Sequence, residues 1–236
     1  MTFRMVPLRN TAVLWLVASV TLVLCGACAM TILPAPSVAA LRYVALGDSY
    51  TIGTSVSADQ SWPRQLVARL GGSVELVANL GVNGYSSDDL IREELPRLDA
   101  LAPDVVTVQV GVNDVVRGVP EASYAANIEL ILDDLLDRLP AIRIVAVATP
   151  DYTVTPMGAA FGNPTQQSVA IGRFNGVLQG AAEARAIAFV PEIFAISQRA
   201  ADDRSLVAGD GLHPSSAHYA LWVDAIEPVV SDLVDR

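Results

Sequence analysis

The chain has two histidines, His213 and His218, and any reaction that moves a proton through an imidazole must use one of them. All 15 basic residues are arginine. Without lysine there is no Schiff base, no phosphate-loop lysine and no Ser–Lys dyad. The two cysteines, Cys25 and Cys28, both precede residue 41. Residues 41–236 therefore offer neither a thiol nor a disulfide, and a zinc site of several Cys and His ligands cannot be assembled. What remains is hydroxyl and carboxylate chemistry around a histidine. Four polar clusters could supply it: Gly47-Asp48-Ser49, Gly81-Val82-Asn83-Gly84, Gly111-Val112-Asn113-Asp114, and Asp210-Gly211-Leu212-His213-Pro214.

Taken singly, each cluster is also ordinary turn chemistry, since Gly, Asp, Asn and Ser are the residues that turns and helix caps favour. Taken together they match the needs of acyl transfer: a nucleophile, a base, an orienting acid and oxyanion donors. Ser49 stands at a strand-to-loop turn and needs an imidazole to take its proton. His213 can accept that proton, and Asp210, three residues earlier, can fold back on its Nδ1 side. Backbone N–H groups of Ser49 and Gly84 can reach a developing oxyanion, and the Asn113 carboxamide adds a third donor. Gly81 competes with Gly84 for the second role. His218 falls in the start of the last expected helix and is the weaker base candidate. Asp48 and Asp114 read as partners of loop backbones, Asp88-Asp89 as a helix start and Asp202-Asp203 as a solvated loop. Trp62 and Trp222 read as packing residues. The G-x-S-x-G nucleophile signature is missing around Ser49, which argues against the α/β-hydrolase fold.

These clusters need elements to hold them. Apolar runs rich in Val, Ile and Ala at 42–46, 74–79, 104–110, 142–148 and 187–190 are expected strands. Helical periodicity is expected over 61–70, 88–98, 121–139, 166–185 and 215–226, with Pro228 kinking or ending the last. In 121–139 the stripe Ile128, Ile131, Leu132, Leu135, Leu136 and Leu139 is the clearest. Five strand–helix alternations predict one α/β domain with a parallel sheet covered on both faces. The ligand site of such a sheet lies beyond the carboxyl ends of its strands, where the clusters fall. The segment 151–165, with Tyr152, Pro156, Met157 and Phe161, is expected to form an apolar rim.

Four clusters in this order and spacing resemble the SGNH hydrolases, the GDSL-type esterase and lipase superfamily, over residues 42–227. The resemblance implies a flavodoxin-like three-layer α/β/α sandwich with a five-stranded parallel sheet. It implies Ser49 as nucleophile, Asp210 and His213 as the rest of the triad, and Gly84 and Asn113 joining the Ser49 N–H in the oxyanion hole. It further implies ester or thioester hydrolysis with no metal and no cofactor. The expected partner is a small-molecule, lipid or glycan ester, handled by a monomer. An acyltransferase, a carbohydrate O-deacetylase and an inactive cell-envelope binding module are the alternatives.

Residues 1–40 differ from the rest. Arg4 and Arg9 precede residues 11–33, which carry no charge. This is the layout of a signal peptide, with small-residue exits at Ala27-Cys28-Ala29 and Val38-Ala39-Ala40. The run is also long enough for a retained anchor, and neither leader cysteine follows a well-formed lipobox. The domains are thus residues 1–40, a signal peptide or anchor, and 41–236, the hydrolase domain, in a secreted or cell-envelope protein. A net charge of −10 without lysine argues against nucleic acid, and against a membrane contact other than an uncleaved leader.

Overall fold

In the computed structural model, which describes residues 1–3 and 39–234, the five apolar runs become the strands of one parallel sheet. They are β1 (Leu41–Gly47), β2 (Val74–Asn79), β3 (Val105–Gln109), β4 (Ile144–Val147) and β5 (Ala188–Val190). Their spatial order is β2-β1-β3-β4-β5, the flavodoxin-like order that the family resemblance implied. β3 is buried along its whole length, as its near-continuous Val pattern requires. Its two polar side chains are satisfied inside. Thr107 shares a 2.7 Å hydrogen bond with Tyr43, and Gln109 Nε2 donates to the Ala148 carbonyl at 2.9 Å.

Helices α1 (Ser49–Ile52), α2 (Trp62–Arg69), α3 (Ser87–Asp89), α4 (Leu98–Leu101), α5 (Val112–Val116), α6 (Glu121–Arg138), α7 (Pro164–Glu183), α8 (Glu192–Gln198) and α9 (Ser216–Val234) connect and cover the strands. Right-handed crossovers fix the faces. The β1-to-β2 connection runs one way along the sheet and the later ones run the other way, so α2 lies on the face opposite α6 and α7. Accordingly α6 packs on α7, while α9 returns over the first face and packs on α2. The predicted α6 stripe is the buried one: Ile128, Ile131, Leu132 and Leu135 are fully buried. On its outer side Glu129 and Asp133 pair with Arg185 from beyond α7.

Three expectations need correction. The helix expected over 88–98 is broken: α3 passes into a wide turn over Leu90–Glu94, a tight turn over Leu95–Arg97, and then α4. Pro96 is the cause, because it has no N–H and its ring clashes with a carbonyl one turn back. Leu90, Leu95 and Leu98 still reach the core. Pro228, in turn, does not end the last helix, which continues to Val234. An interior proline costs about 3 kcal/mol, whereas burying Val230 and Leu233 beyond it returns roughly 1.5–3 kcal/mol each. The third correction is α8, a helix that follows Pro191 and was not anticipated. The leader expected over 1–40 lies, apart from its ends, outside the described residues.

Adjacent residues on α6 test the packing. Ile131 is fully buried and Leu130 is 58% exposed. Ile131→Ala is expected to lower unfolding free energy by roughly 2–5 kcal/mol in urea titration. Leu130→Ala should stay within about 0.5 kcal/mol of the parent. Equal losses would contradict this orientation of the helix.

Candidate active site

The position of Ser49, the expected nucleophile, is set by where β1 stops. A Cβ on Gly47 would collide with Thr51 Oγ1 and with the Gln109 carbonyl oxygen, so only glycine lets β1 turn out beside β3. Asp48 then caps α1, its Oδ1 accepting from Tyr50 N at 2.9 Å. This leaves Ser49 at the first position of α1, buried except for a small part of its surface.

The fourth cluster folds on itself before α9. Asp210 Oδ1 accepts from the N–H groups of Leu212 at 2.9 Å and His213 at 3.0 Å. That turn brings Oδ2 to 2.6 Å from His213 Nδ1, and the Ala208 N–H closes the loop on the His213 carbonyl at 2.7 Å. His213 Nε2 lies 2.9 Å from Ser49 Oγ. With the carboxylate on Nδ1, that nitrogen carries the proton, and Nε2 is left with a lone pair for the serine hydroxyl. The structure therefore brings the three residues of the expected triad into one hydrogen-bonded line. Tyr50 backs the imidazole at a centroid distance of 5.0 Å and stacks in turn on Trp222 at 6.3 Å.

Partial desolvation pushes the Asp210 carboxyl up, but hydrogen bonds outweigh it and hold it well below the usual carboxylate range. The donors are Ser55 Oγ, His213 Nδ1 and the two loop N–H groups. Ser55, which the sequence did not single out, donates to Oδ2 at 2.6 Å.

The two candidate glycines of the second cluster do different work. A Cβ on Gly81 would press on the Asp48 carbonyl oxygen and the Ile52 nitrogen, so this glycine lets the loop pack against α1. Gly84 has φ +83 and open space on its Cβ side, in a turn closed by Tyr85 N donating to the Val82 carbonyl at 3.1 Å. Asn113 of α5 and Arg117, which caps that helix, hold the turn. Asn113 Nδ2 donates to the Tyr85 carbonyl at 2.9 Å, and Arg117 Nη2 to the Gly84 carbonyl at 2.6 Å. Asn113 also faces Asp48 Oδ2 at 3.4 Å.

Ser49, Asn113 and His213 share one open cleft. Its apolar wall is Val112, Val116, Tyr152, Phe161 and Leu212. Tyr152 and Phe161 meet edge-on at 5.8 Å, so part of the expected rim over 151–165 does line the cleft. Met157 instead sits on the Asp210–His213 loop, its N–H donating to the Gly211 carbonyl at 3.0 Å. His218 is buried away from the serine. Its Nδ1 lies 3.0 Å from the Leu206 carbonyl and its Nε2 3.2 Å from that of Ile196, and burial pushes its pKa down. Trp62 and Trp222 are core residues. Asp114 accepts from Ser87 N at 2.9 Å, and Asp89 forms a capping pair with Ser86, as backbone partners should.

The fold is thus an α/β sandwich with a serine, an imidazole and a carboxylate in line at the carboxyl ends of its strands. The profile of the GDSL-like lipase/acylhydrolase family matches residues 45–221, a span that includes all four clusters. The chain belongs to that family. An arylesterase from Vibrio mimicus is 27% identical over 120 residues, which are 50% of this chain. The match spans 60% of that relative's length. An acetylxylan esterase from Geobacillus stearothermophilus superposes with TM-score 0.64 at 19% identity, covering 80% of this chain and 94% of the other. A lipase/acylhydrolase from Enterococcus faecalis does so with TM-score 0.64 at 22% identity, covering 81% and 96%. At these identities the structural likeness is one of fold.

Glu94 is a further buried group that the sequence did not flag. Its Oε2 accepts from the Gly47 N–H at 2.9 Å, directly before the Asp48-Ser49 turn, and its Oε1 has no hydrogen-bond partner. Burial pushes its carboxyl up to about 9, with the nearby Asp48 adding to the rise. Asp48 itself is pushed up to about 7, chiefly by burial. A carboxyl that binds its proton more tightly folded than unfolded stabilises the fold at low pH. That contribution is lost as pH climbs through the folded pKa. Thermal stability is therefore expected to decline from about pH 5 to pH 9. Glu94→Gln keeps the acceptor for Gly47 and should flatten the decline above pH 7. An unchanged slope in Tm against pH would show that Glu94 does not titrate in this window.

Proposed function

We propose that this chain is an exported carboxylic ester hydrolase acting on short- to medium-chain acyl groups through an acyl-enzyme on Ser49. The observation that carries the reading is the unbroken line from Ser49 Oγ to His213 Nε2 at 2.9 Å and from His213 Nδ1 to Asp210 Oδ2 at 2.6 Å. Ser49 Oγ attacks the ester carbonyl carbon while His213 Nε2 takes its proton. The same proton then passes to the departing alcohol. Water repeats the sequence on the acyl-enzyme, with His213 as base again. Asp210 remains ionised throughout and stabilises the imidazolium. The donors for the oxyanion are the Ser49 and Gly84 N–H groups and Asn113 Nδ2, which keeps its bond to the Tyr85 carbonyl and turns to the oxyanion the hydrogen that faces Asp48 Oδ2 at 3.4 Å. A hydrogen bond that strengthens with developing charge lowers the barrier.

The five apolar side chains that line the cleft support short acyl groups. The arylesterase relative and the acetylxylan esterase of like fold are consistent with this. The charge layout of residues 1–40 supports export, and the acidic surface supports a soluble monomer.

A p-nitrophenyl ester series tests the reading. Turnover is expected to peak between acetyl and octanoyl, to vanish in Ser49→Ala, and to appear in the fractions outside the cytoplasm when cells are separated. Preference for long chains with a rate jump at micelle formation would reject the short-chain assignment, and activity in Ser49→Ala would reject the mechanism.

Asn113 gives a second test. Asn113→Ala should cut kcat by ~10²–10³ with little change in KM, the scale for losing one oxyanion donor. A folded variant with wild-type acylation in single turnover would remove Asn113 from the mechanism.

A further inference from the structure

We infer that Ser55 is a positioning residue of the triad, holding the Asp210 carboxylate in the orientation that its contact with His213 requires. The inference rests on the esterase reading and deepens it. An ionised carboxylate has about four acceptor sites. In Asp210 the loop N–H groups of Leu212 and His213 fill Oδ1. Oδ2 is shared by two donors at 2.6 Å, His213 Nδ1 on one side and Ser55 Oγ on the other. The first three donors belong to the same short loop as Asp210 and move with it. Ser55 is the donor that comes from the nucleophile's side of the site, and it ties the aspartate to the segment carrying Ser49.

The backbone supports this independently. Ser55 has φ +69, in the left-handed region that glycine adopts freely and other residues seldom do. Ala102 and Ala186, the other described non-glycine residues with positive φ, stand where α4 and α7 are brought to an end. Ser55 has no such duty, because α1 is already terminated by Gly53 at φ +84. A glycine at 55 would suit the backbone better, and what it would lack is the hydroxyl. Strain kept at a position whose side chain touches the triad points to the side chain. Thr54 fixes the approach: its N–H donates to the Ser49 carbonyl at 3.0 Å, and its hydroxyl bonds to Asn83 of the second cluster.

Ser55→Ala and Ser55→Gly separate this role from a structural one. Both should lower kcat on p-nitrophenyl acetate by about 10-fold, the effect of one hydrogen bond to a charged group, with KM changed less than about two-fold. Without the serine proton Oδ2 becomes a stronger acceptor toward the imidazole. The acid limb of the kcat/KM profile should therefore move to higher pH in both variants. Ser55→Gly should hold or raise Tm, because glycine relieves the backbone. The low-field proton resonance of the Asp210–His213 hydrogen bond should shift in both variants, and this readout does not depend on turnover. Wild-type kcat, pH profile and low-field resonance in folded Ser55→Gly would overturn the inference while leaving the esterase reading intact. A wild-type protein inactive on every ester would sink that reading, and the resonance would still decide whether Ser55 holds Asp210.

Discussion

The Asp210 carboxylate accepts four hydrogen bonds from two segments far apart in sequence, and the site is organised around keeping it charged and aimed. Its charge fixes the proton of His213 on Nδ1, which leaves Nε2 free to take the serine proton. Its orientation is set on one side by its own loop and on the other by the stretch after α1. The two segments must therefore meet, and the fold makes them meet. α9 packs along α2, and Tyr50 stacks on Trp222 of α9 and lies tilted against His213, so His213 and the helix carrying Ser49 share one aromatic wall. Packing on the α2 face of the sheet thus places His213 beside Ser49.

Three other acids near the nucleophile show why Asp210 differs. Asp48 is fully buried and takes one short hydrogen bond, from Tyr50 N, and burial pushes its carboxyl up to about 7. Glu94 has one donor and a bare oxygen, and it rises to about 9. Asp114 is raised by burial even with two donors from Ser87. Asp210 keeps 30% of its side chain exposed and has four donors, so the balance between desolvation and hydrogen bonding is reversed. The consequence is a division of charge. The acid beside the imidazole is ionised, and Glu94, beneath the serine turn, is neutral at pH 7. A full negative charge there would oppose the oxyanion proposed to accept from the Ser49 N–H of the same turn.

Much of this was legible in the sequence because it is local. The strand over 74–79 and the α6 stripe follow from side-chain period, and the Asp210–His213 turn needs only four consecutive residues. What the sequence did not reveal depends on partners brought in by the fold. Ser55 meets Asp210 across 155 positions, and nothing in its own neighbourhood marks it out. Glu94 looks like one acid among several in a polar stretch until Pro96 breaks the helix and β1 arrives above it. Gly81 and Gly84 are indistinguishable by type, and only the close approach of α1 to the first separates a packing glycine from a turn glycine. Pro228 was read by propensity alone, and core burial beyond it outweighed that propensity.

The register of the central strands explains why Ser49 and Asn113 face the same cleft. In the order β2-β1-β3 the chain leaves β1 toward one side of the sheet and leaves β3 toward the other, which opens a crevice between the two exits. Gly47 pairs with Gln109, so Ser49 and Gly111 both stand two residues past the same rung, and Asn113 follows within the first turn of α5. A slip of one residue would turn each side chain to the opposite face of the sheet. It would also put a residue with a Cβ where Gly47 lies against the Gln109 carbonyl and Thr51, a place with no room for one. The glycine that permits the sharp exit of β1 therefore also enforces the register, and through it the placement of Ser49 relative to Asn113.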